Sequence, residues 1–265
     1  MNFADKLAAA WHDLRAGIAQ VHVWGLLGWQ DMRQRYRRSV IGPFWLTLST
    51  AIMLGTVGLL YARLLGQDVH SYLPYLAVGL IVWGTILAIV NESCQVFIGA
   101  EQTIKQIRLP LTTHVCRVLW RNALMLAHNA VILIPIALWV GHRPSAALAS
   151  VPLGFAALLA NGLWIGMLLG ILSARFRDVP PIVANLMQIG FFMTPIIYRP
   201  EVLGNRAWIA ELNPVYHLIE VVRAPIVAAT LPLASWSYLA LFTLCGSLVT
   251  FVLFARTRAR VPYWL

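Results

Sequence analysis

The chain has 265 residues, of which 60% are hydrophobic and 11% are charged, and its formal net charge is +10. A soluble domain of this size has no use for so much apolar surface, so the composition predicts an integral membrane protein. A strongly basic chain is also typical of nucleic-acid binding, and the placement of the basic residues decides between these two classes.

The first segment has the pattern of an amphipathic helix. Apolar residues recur at spacings of three and four from Phe3 to Val21, and the charged residues Asp5 and Asp13 fall off that stripe. The stripe includes Trp11, which favours a helix that lies in the membrane interface. A helix packed on a soluble partner is the alternative.

A basic cluster separates this helix from the first long apolar run. The cluster consists of Arg33, Arg35, Arg37 and Arg38. Guanidinium groups are costly in hydrocarbon, so the cluster predicts a cytoplasmic anchor, and Pro43 suits the first turn of the helix that follows. Residues 1–38 are therefore predicted to form an interface helix with a basic anchor, and residues 39–265 a single membrane domain.

Six segments are long and apolar enough to cross a membrane at about 20 residues per helix. They lie near residues 43–62, 72–90, 118–140, 146–173, 182–198 and 236–255. The fourth is overlong and carries Pro152 near its start, which predicts a tilt or a kink, and the fifth is short. The pattern predicts an all-α integral membrane protein with six transmembrane helices.

The basic residues are distributed unevenly between the two sides of this topology. With the amino terminus inside, 15 of the 20 lysines and arginines fall in inner segments and 5 in outer ones. The positive-inside rule is met, so both termini are predicted to be cytoplasmic. The positive charge sets the orientation, and it predicts no nucleic-acid partner.

One inner connection differs from a plain turn. Residues 99–110 form a polar, helix-compatible run that ends at Pro110 and carries Glu101, Lys105 and Arg108. Such a surface suits docking of a cytoplasmic partner, and a merely solvated loop is an equally good interpretation.

The outer segment 199–235 contains a natural helix start, Asn213-Pro214, before an apolar run with Glu220 and Arg223 one turn apart. Pro225 is predicted to end or kink that run. A run of about 11 to 14 residues is too short to cross, which predicts a re-entrant or interfacial helix. Irregular backbone at that depth needs protein or a water-filled cavity around it, so the segment points to a pathway.

The chain shows no catalytic set and no metal-ligand spacing. Its two lysines, Lys6 and Lys105, both lack the context G-x-x-x-x-G-K-[ST], so the chain is not itself a P-loop ATPase. The sequence therefore predicts a protein that is not an enzyme and holds no cofactor. If ATP powers transport, another subunit supplies it.

Several motifs follow one another along nearly the whole chain. They are Arg35-Tyr-Arg-Arg-Ser-Val-Ile-Gly-Pro-Phe-Trp-Leu-Thr-Leu-Ser49, Ala174-Arg-Phe-Arg-Asp178, Thr194-Pro-Ile-Ile-Tyr198 and Leu212-Asn-Pro214, with Arg223 downstream. In this order they resemble the membrane subunit of ABC-2-type polysaccharide exporters, above all the Wzm-type O-antigen permeases and more distantly capsule and teichoic-acid permeases.

The resemblance implies an assembly and a cargo. Two copies of the chain would form a homodimer with a central channel in the bacterial inner membrane. Two copies of a cytoplasmic ABC ATPase, which holds ATP and Mg, would bind beneath it. The cargo would be an undecaprenyl-diphosphate-linked glycan that moves from cytoplasm to periplasm.

The resemblance also assigns roles to segments. Residues 99–110 would be a coupling helix, with the N-terminal helix as a second docking surface, and would act through Glu101, Lys105 and Arg108. Residues 199–235 would be the external gate and would act through Asn213, Pro214, Glu220 and Arg223.

Two groups of residues are candidate substrate contacts. Aromatic residues on or at the ends of the first and fifth spans would line the channel, or else form an interface belt: Phe44, Trp45, Tyr61, Phe191, Phe192 and Tyr198. The basic cluster Arg33–Arg38 would meet the diphosphate of the lipid carrier, or else anionic membrane lipid.

Two other functions stay open at this point. An ABC-2 permease for a drug or a small lipid shares the same features. A gradient-driven secondary carrier would need no ATPase, although such a carrier usually has more buried carboxylates than this chain offers.

Overall fold

The computed structural model describes residues 2–35, 37, 42, 44–141 and 145–265, without the side chain of Leu46. Within these ranges the chain forms 13 α-helices and four 3-10 helices, and it contains no strand. The prediction of an all-α protein is confirmed. Arg38 and Pro43, both used in the sequence analysis, lie outside the described residues.

The α-helices are α1 (Phe3–Ala19), α2 (Val21–Arg35), α3 (Phe44–Leu64), α4 (Val69–Cys94), α5 (Glu101–Gln106), α6 (Leu111–Ala130), α7 (Leu133–Val140), α8 (Val151–Arg175), α9 (Val179–Met193), α10 (Trp208–Glu211), α11 (Pro214–Val227), α12 (Leu233–Thr257) and α13 (Val261–Trp264). The 3-10 helices are Ile98–Ala100, Ala146–Ser150, Pro200–Arg206 and Arg258–Arg260.

Five helical stretches of the described chain are long and apolar enough to cross a membrane. They are Thr47–Leu64, Val69–Cys94, Leu111–Val140, Ala146–Arg175 and Leu233–Trp264. The fifth predicted span, 182–198, is not one continuous helix, because α9 ends at Met193. Thr194 is extended, with φ −95° and ψ 134°. Pro195 follows it, and a residue before proline is driven out of the α region.

Two other span predictions differ from the structure. The third span begins at Leu111 rather than at 118, and it breaks after Ala130 into α6 and α7. Pro152 does not kink the fourth span, because it stands in the first turn of α8, directly after the 3-10 helix. A proline is tolerated there since its missing N–H has no helical partner to lose.

Helix α4 occupies the centre of the fold. It packs against α3, α6, α8, α9 and α11. In its most apolar stretch 72% of the residues are buried inside the protein, against 17% in α3. A helix that is apolar all round is buried, and Tyr72, Leu76 and Val78 are fully enclosed. Helix α3, by contrast, leaves most of its surface to lipid or to another protein.

Glycines allow α8 to approach its neighbours closely. A Cβ at Gly166 would lie 2.7 Å from Val115 Cγ1, and a Cβ at Gly170 would lie 2.5 Å from Val96 Cγ1. Small residues at helix contacts are the usual means by which membrane helices pack tightly. These contacts fix α8 against α6 and against the end of α4.

Candidate functional site

Residues 194–199, which connect α9 to the Pro200–Arg206 3-10 helix, are tied to α4 by their backbone carbonyls. The Tyr72 hydroxyl donates to the carbonyl of Ile197 at 2.7 Å. The Tyr75 hydroxyl lies within hydrogen-bond distance of two carbonyls, 3.1 Å from that of Pro195 and 3.0 Å from that of Tyr198. A backbone carbonyl that has no hydrogen-bond partner within a helix needs such a donor when it is buried in an apolar protein.

Arg223 supplies a third donor from α11. Its Nη1 donates to the Pro195 carbonyl at 2.8 Å. Its Nε and Nη2 donate to Glu220 Oε2 at 3.0 and 2.6 Å, so the predicted pairing of these two residues is present. The guanidinium also lies 4.0 Å from the ring centroid of Tyr75. We call Tyr72, Tyr75 and Arg223 the carbonyl clamp.

The clamp holds a charge that is almost completely buried. Arg223 is 1% exposed, and a buried charge is stable only when it is paired and hydrogen-bonded. Each of its three guanidinium nitrogens has an acceptor in Glu220 or Pro195. These hydrogen bonds therefore hold α11 in a fixed position against residues 194–199.

Helix α11 starts where the sequence predicts. The Asn213 side chain accepts from Val215 N at 2.9 Å, and Pro214 stands in the first turn. Asn213 Nδ2 also donates to Thr194 Oγ1 at 2.8 Å, which adds a second tie to the segment after α9. The helix has 14 residues and runs through Pro225 to Val227, so the prediction that Pro225 ends the run is wrong.

The six candidate channel aromatics fall into two groups. Phe44, Trp45 and Phe192 are 62%, 56% and 70% exposed. Tyr61, Phe191 and Tyr198 are half-buried. The Phe191 ring packs 5.6 Å from that of Trp83, and the Tyr198 hydroxyl donates to the Phe192 carbonyl at 3.2 Å.

The exposed aromatics lie on helix faces that this chain itself does not cover. Helix α9 has no buried residue, and α3 is largely uncovered. Apolar faces of this size are covered by lipid or by a partner. Both predicted positions for these side chains, a channel between copies and an interface belt, fit this exposure.

The basic cluster is divided between two environments. Arg33 and Arg37 are exposed and, with Gln30 and Gln34, line an open cavity of about 420 Å³. Arg35 instead pairs with Glu92 on α4 at 3.2 Å. The two outward arginines are the ones free to reach a phosphate or a lipid head group, and Arg38 lies outside the described residues.

Arg35 belongs to an ion-pair network that joins α2, α4 and α6. Asp31 accepts two hydrogen bonds from Arg117 and one from Arg121 at 2.8 Å. Arg121 also pairs with Glu92 at 2.7 Å. A carboxylate at the inner end of the second span predicts that Glu92 pairs with a cytoplasmic arginine, and this is confirmed, but the sequence does not indicate which arginine because these residues come from three separate segments.

Electrostatics keeps the Asp31 carboxylate of this network charged. Burial raises the pKa of Asp31, but the hydrogen bonds and charges of Arg117 and Arg121 lower it more, so the pKa lies below its usual range. With Gln95 and His114, the network lines a cavity of about 380 Å³. The charged Asp31 side chain ties α2 to α6.

The candidate coupling segment forms a short exposed helix. Helix α5 has no buried residue, and Lys105 Nζ pairs with Glu101 Oε1 at 2.7 Å, which lowers the pKa of Glu101. The helix ends at Gln106, before the predicted stop at Pro110. Pro110 instead stands at the cap position of α6. Arg108 is exposed between the two helices.

The apolar stripe of α1 is only partly covered by the protein, because Leu7 packs against the core and the Trp11 ring contacts Phe251 on α12 while other members are exposed. Phe3, Trp11 and Ile18 are 45%, 59% and 44% exposed. An interface helix presents its apolar side to the membrane in this way. Asp13, which lies off the stripe, is only 4% exposed, and it packs against α6.

Residues 22–227, more than half of the chain, match the family described as ABC-2 type transporter. The chain belongs to the ABC-2 type transporter family. The resemblance read from the motifs is thereby confirmed. An ABC-2 membrane component is a transport subunit and not an enzyme, and membership of the family implies partnership with an ABC ATPase.

Similar proteins share one description. The chain is 22% identical to the O-antigen export system permease protein RfbA of Myxococcus xanthus over 193 residues, which is 72% of this chain and 74% of that relative. It is also 22% identical to an RfbA of Klebsiella pneumoniae over 225 residues, which is 84% of this chain and 86% of that relative. A second relative of that name from Klebsiella pneumoniae aligns over 233 residues, also at 22% identity, with 84% of this chain and 86% of the relative covered.

Three residues of this ABC-2 subunit were missed by the sequence analysis. Asp13 and Asp31 were not recognised as partners of α6, and Tyr75 was not linked to residues 194–199. The available signal was a carboxylate within a mixed polar and apolar helix and a tyrosine inside a span, because buried polar groups need partners. That signal gives no indication of which partner is used.

Proposed function

We propose that this chain is the membrane subunit of an ATP-driven exporter that moves an undecaprenyl-diphosphate-linked polysaccharide of the O-antigen type from cytoplasm to periplasm. One observation carries the proposal: an ABC-2 chain aligns over up to 84% of its length with relatives named as O-antigen export permeases. The subunit would lie in the bacterial inner membrane as a homodimer above two copies of an ABC ATPase that binds ATP and Mg.

The proposed topology has six crossings with both termini cytoplasmic. Helix α9 has 15 residues and is about 22 Å long, which is less than the roughly 30 Å of a hydrocarbon core. Residues 194–199, which are non-helical and bent, would complete the crossing. Non-helical backbone is tolerated at membrane depth where protein surrounds it. The carbonyl clamp supplies the donors that such a crossing needs.

The proposed channel lies between two copies, along the uncovered faces of α3 and α9. Phe44, Trp45 and Phe192 would present flat aromatic surfaces on which sugar rings slide, with Tyr61, Phe191 and Tyr198 near the ends of the same helices. Aromatic faces stack on sugars without holding them by many hydrogen bonds, which suits a long polymer. The exposure of the first three side chains supports this role.

The proposed inner side receives the lipid carrier and the ATPase. Residues 1–38 would lie at the membrane interface, and Arg33 and Arg37 would contact the diphosphate or anionic lipid. Residues 99–110 would dock the ATPase through Glu101, Lys105 and Arg108. The exposure of α5 supports this assignment.

The proposed outer gate is formed by residues 199–235. Asn213, Pro214, Glu220 and Arg223 would set the position of α11 beside the channel end. The hydrogen bonds of Asn213 to Thr194 and of Arg223 to Pro195 support a gate that moves together with the end of α9.

The test is purification of the tagged chain in mild detergent, followed by reconstitution with the proteins that co-elute. The proposal expects a stoichiometric P-loop ATPase and ATP-dependent movement of lipid-linked glycan into the vesicles. Transport of a drug or small lipid in place of glycan would refute the cargo. Transport driven by a proton gradient without any ATPase would refute the whole proposal.

A further inference from the structure

Helix α1 has a second, buried face in addition to its apolar stripe. Ala10, Asp13 and Gly17 are its buried residues, and they recur at spacings of three and four, as the residues on one side of a helix do. Gln20, at the end of α1, continues this line. The face lies against the first turn of α6, while the apolar stripe lies on the exposed side.

Asp13 caps α6 from a helix that lies about a hundred positions away in the sequence. Its carboxylate accepts from Leu111 N at 3.3 Å, from Thr112 N at 3.2 Å and from Thr112 Oγ1 at 3.0 Å. Pro110, the cap residue of α6, makes no side-chain capping bond of its own. The first amides of a helix lack partners inside that helix and favour a negative charge, so Asp13 fills a place that α6 leaves open.

The same carboxylate reaches the end of α12. Arg258 Nε donates to Asp13 Oδ2 at 2.9 Å. With the two amides and the Thr112 hydroxyl, a carboxylate that is 4% exposed thus accepts from four donors. If these contacts are broken and not replaced, the buried carboxylate of Asp13 is left unpaired. The contact of Asp13 with α6 and Arg258 therefore resists separation far more than a surface ion pair does.

Gly17 allows this contact to be made. A Cβ at Gly17 would lie 2.5 Å from Thr112 Cβ and 2.9 Å from Thr113 N. One turn further on, Thr113 Oγ1 donates to Gln20 Oε1 at 3.1 Å. The backbones of α1 and α6 therefore meet with no side chain between them.

Helix α2 is joined to α6 in the same manner. A Cβ at Gly28 would lie 3.1 Å from the Arg117 carbonyl oxygen, and Asp31 binds Arg117 and Arg121. Only Gln20 separates α1 from α2. Both N-terminal helices are thus fixed to α6 along their length.

The contact between Asp13 and the first turn of α6 lies close to α5 along the chain, and this position suggests a role for the contact. Only residues 107–110 separate α5 from the first turn of α6, and α2 leads through residues 36–43 into α3. A displacement of α5 would therefore reach the turn that Asp13 holds. From there it would pass into α1 and α2, which contact α6, and through them towards the proposed channel helix.

We propose that Asp13 is a positioning residue that makes α1 and the start of α6 move as one body. It would pass the displacement of residues 99–110 by the ATPase to the interface helix and to α3. The inference rests on the proposed function, and it goes beyond it by assigning the transmission of movement to one buried carboxylate. A chain of rigid contacts between two sites is the physical requirement for such coupling.

The test compares two isosteric variants of α1 in the full complex, reconstituted with its ATPase. Asp13→Asn removes the charge and turns one acceptor into a donor that faces other donors. Asp5→Asn is the matched control, since Asp5 is an exposed carboxylate on the same helix whose side chain binds only the cap at Asn2. The readouts are ATPase co-purification, ATP turnover, and glycan exported per ATP hydrolysed.

We expect Asp13→Asn to retain the ATPase and its turnover while export per ATP falls about tenfold, the size of effect that follows from losing one hydrogen bond to a charged group. Asp5→Asn is expected to match the wild type. Gly17→Ala should reproduce the loss of export without any change of charge, because its methyl group pushes α1 away from Thr112. Gly25→Ala is its control, since a Cβ there has nothing within 4 Å.

The outcomes separate the inference from the function on which it rests. If Asp13→Asn and Gly17→Ala both export as much glycan per ATP as the wild type, the proposal that Asp13 transmits movement, here called the relay, is overturned. A loss of export that merely parallels a loss of assembled complex would also overturn it, because this would indicate a structural role alone. If Asp13→Asn does not assemble, Arg258→Gln, which leaves the amide contacts intact, must show the reduced ratio for the relay to stand. A wild-type chain that neither binds an ATPase nor exports glycan would overturn the proposed function first, and the relay with it.

Discussion

Arg223 is a buried guanidinium at the junction of three segments, and its neighbours decide what a substitution there would report. Truncation would leave Glu220 without its cation and remove a donor from the Pro195 carbonyl. Losing one partner of a buried pair destabilises by several kcal/mol, about 3 to 5. Loss of export in such a variant would therefore confound gating with unfolding. The neighbouring tyrosine allows a milder test.

We expect Tyr75→Phe to lower the free energy of unfolding by about 1 to 3 kcal/mol, since it leaves the Tyr198 carbonyl without its donor in an apolar setting. The Pro195 carbonyl keeps Arg223. Thermal unfolding in detergent measures the change. Tyr263→Phe is the control, because Tyr263 is 88% exposed and lies far from the clamp in sequence. Equal melting temperatures for Tyr75→Phe and the wild type would count against the clamp.

At the scale of single residues, the sequence predicted local pairs and missed distant ones. The Asn213 cap and the Glu220–Arg223 pair were predicted because their partners lie within three residues. The partners of Asp13 at Leu111 and Thr112 are 98 and 99 positions away. Periodicity identifies one apolar face of a helix and treats the rest as solvated, so a second, protein-facing side with a carboxylate in it escapes detection.

At the scale of elements, the spans were found by hydropathy and their ends were set by proline. Apolar residues continue past Met193, so the composition alone extends the fifth span to Tyr198. Pro195 ends the helix early because it excludes Thr194 from the α region. Pro152 and Pro110 act in the opposite direction, and each stands at the start of a helix. These three prolines each lie at or beside a helix boundary, whereas Pro225 lies inside α11, so a proline alone does not determine where a helix ends.

The tight contact of α8 with the end of α4 leads to a prediction about packing. Gly170→Ala places a methyl group 2.5 Å from Val96 Cγ1 and 2.8 Å from the ring of Phe97, which is fully buried and has no room to move. Overpacking of this kind costs about 1 to 3 kcal/mol, so we expect a lower melting temperature. Gly84→Ala is the matched control on α4, since nothing lies within 4 Å of its Cβ. A Gly170→Ala variant as stable as the control would show that the contact is loose.

The proposed docking surface for the ATPase is an element too short to be stable alone. Helix α5 has six residues and no buried side chain, so its surface charges are available to a partner. We expect Arg108→Glu to reduce co-purification of the ATPase by tenfold or more, roughly the effect of placing two like charges in contact across an interface. Arg206→Glu is the control, since Arg206 is also exposed and lies in the segment proposed to be external. Unchanged recovery of the ATPase with Arg108→Glu would remove this residue from the docking surface.

For the whole molecule, the number of crossings decides on which side residue 205 lies. If α9 and residues 194–199 cross together, there are six crossings, and residues 106 and 263 share the cytoplasmic side while residue 205 is external. The contacts of α13 with α5 and of Arg258 with Asp13 keep residue 263 on the side of residue 106 in either case, so residue 205 alone becomes cytoplasmic if they do not cross. The carbonyl clamp favours the first arrangement, because satisfied carbonyls let non-helical chain lie in the membrane.

Single cysteines at Gln106, Asn205 and Tyr263, all exposed positions, test this in a chain whose native Cys94, Cys116 and Cys245 are replaced. In intact cells we expect a membrane-impermeant maleimide to label only the cysteine at position 205, and all three after permeabilisation. Protection at 205 in intact cells, with labelling after permeabilisation, would mean that α9 turns back into the cytoplasm. The proposed gate at residues 199–235 would then lie on the wrong side of the membrane to control release of a polymer. The side of the membrane on which residues 199–235 lie therefore determines the role of the carbonyl clamp. The clamp is either part of the proposed exit for the polymer or a structural support on the cytoplasmic side.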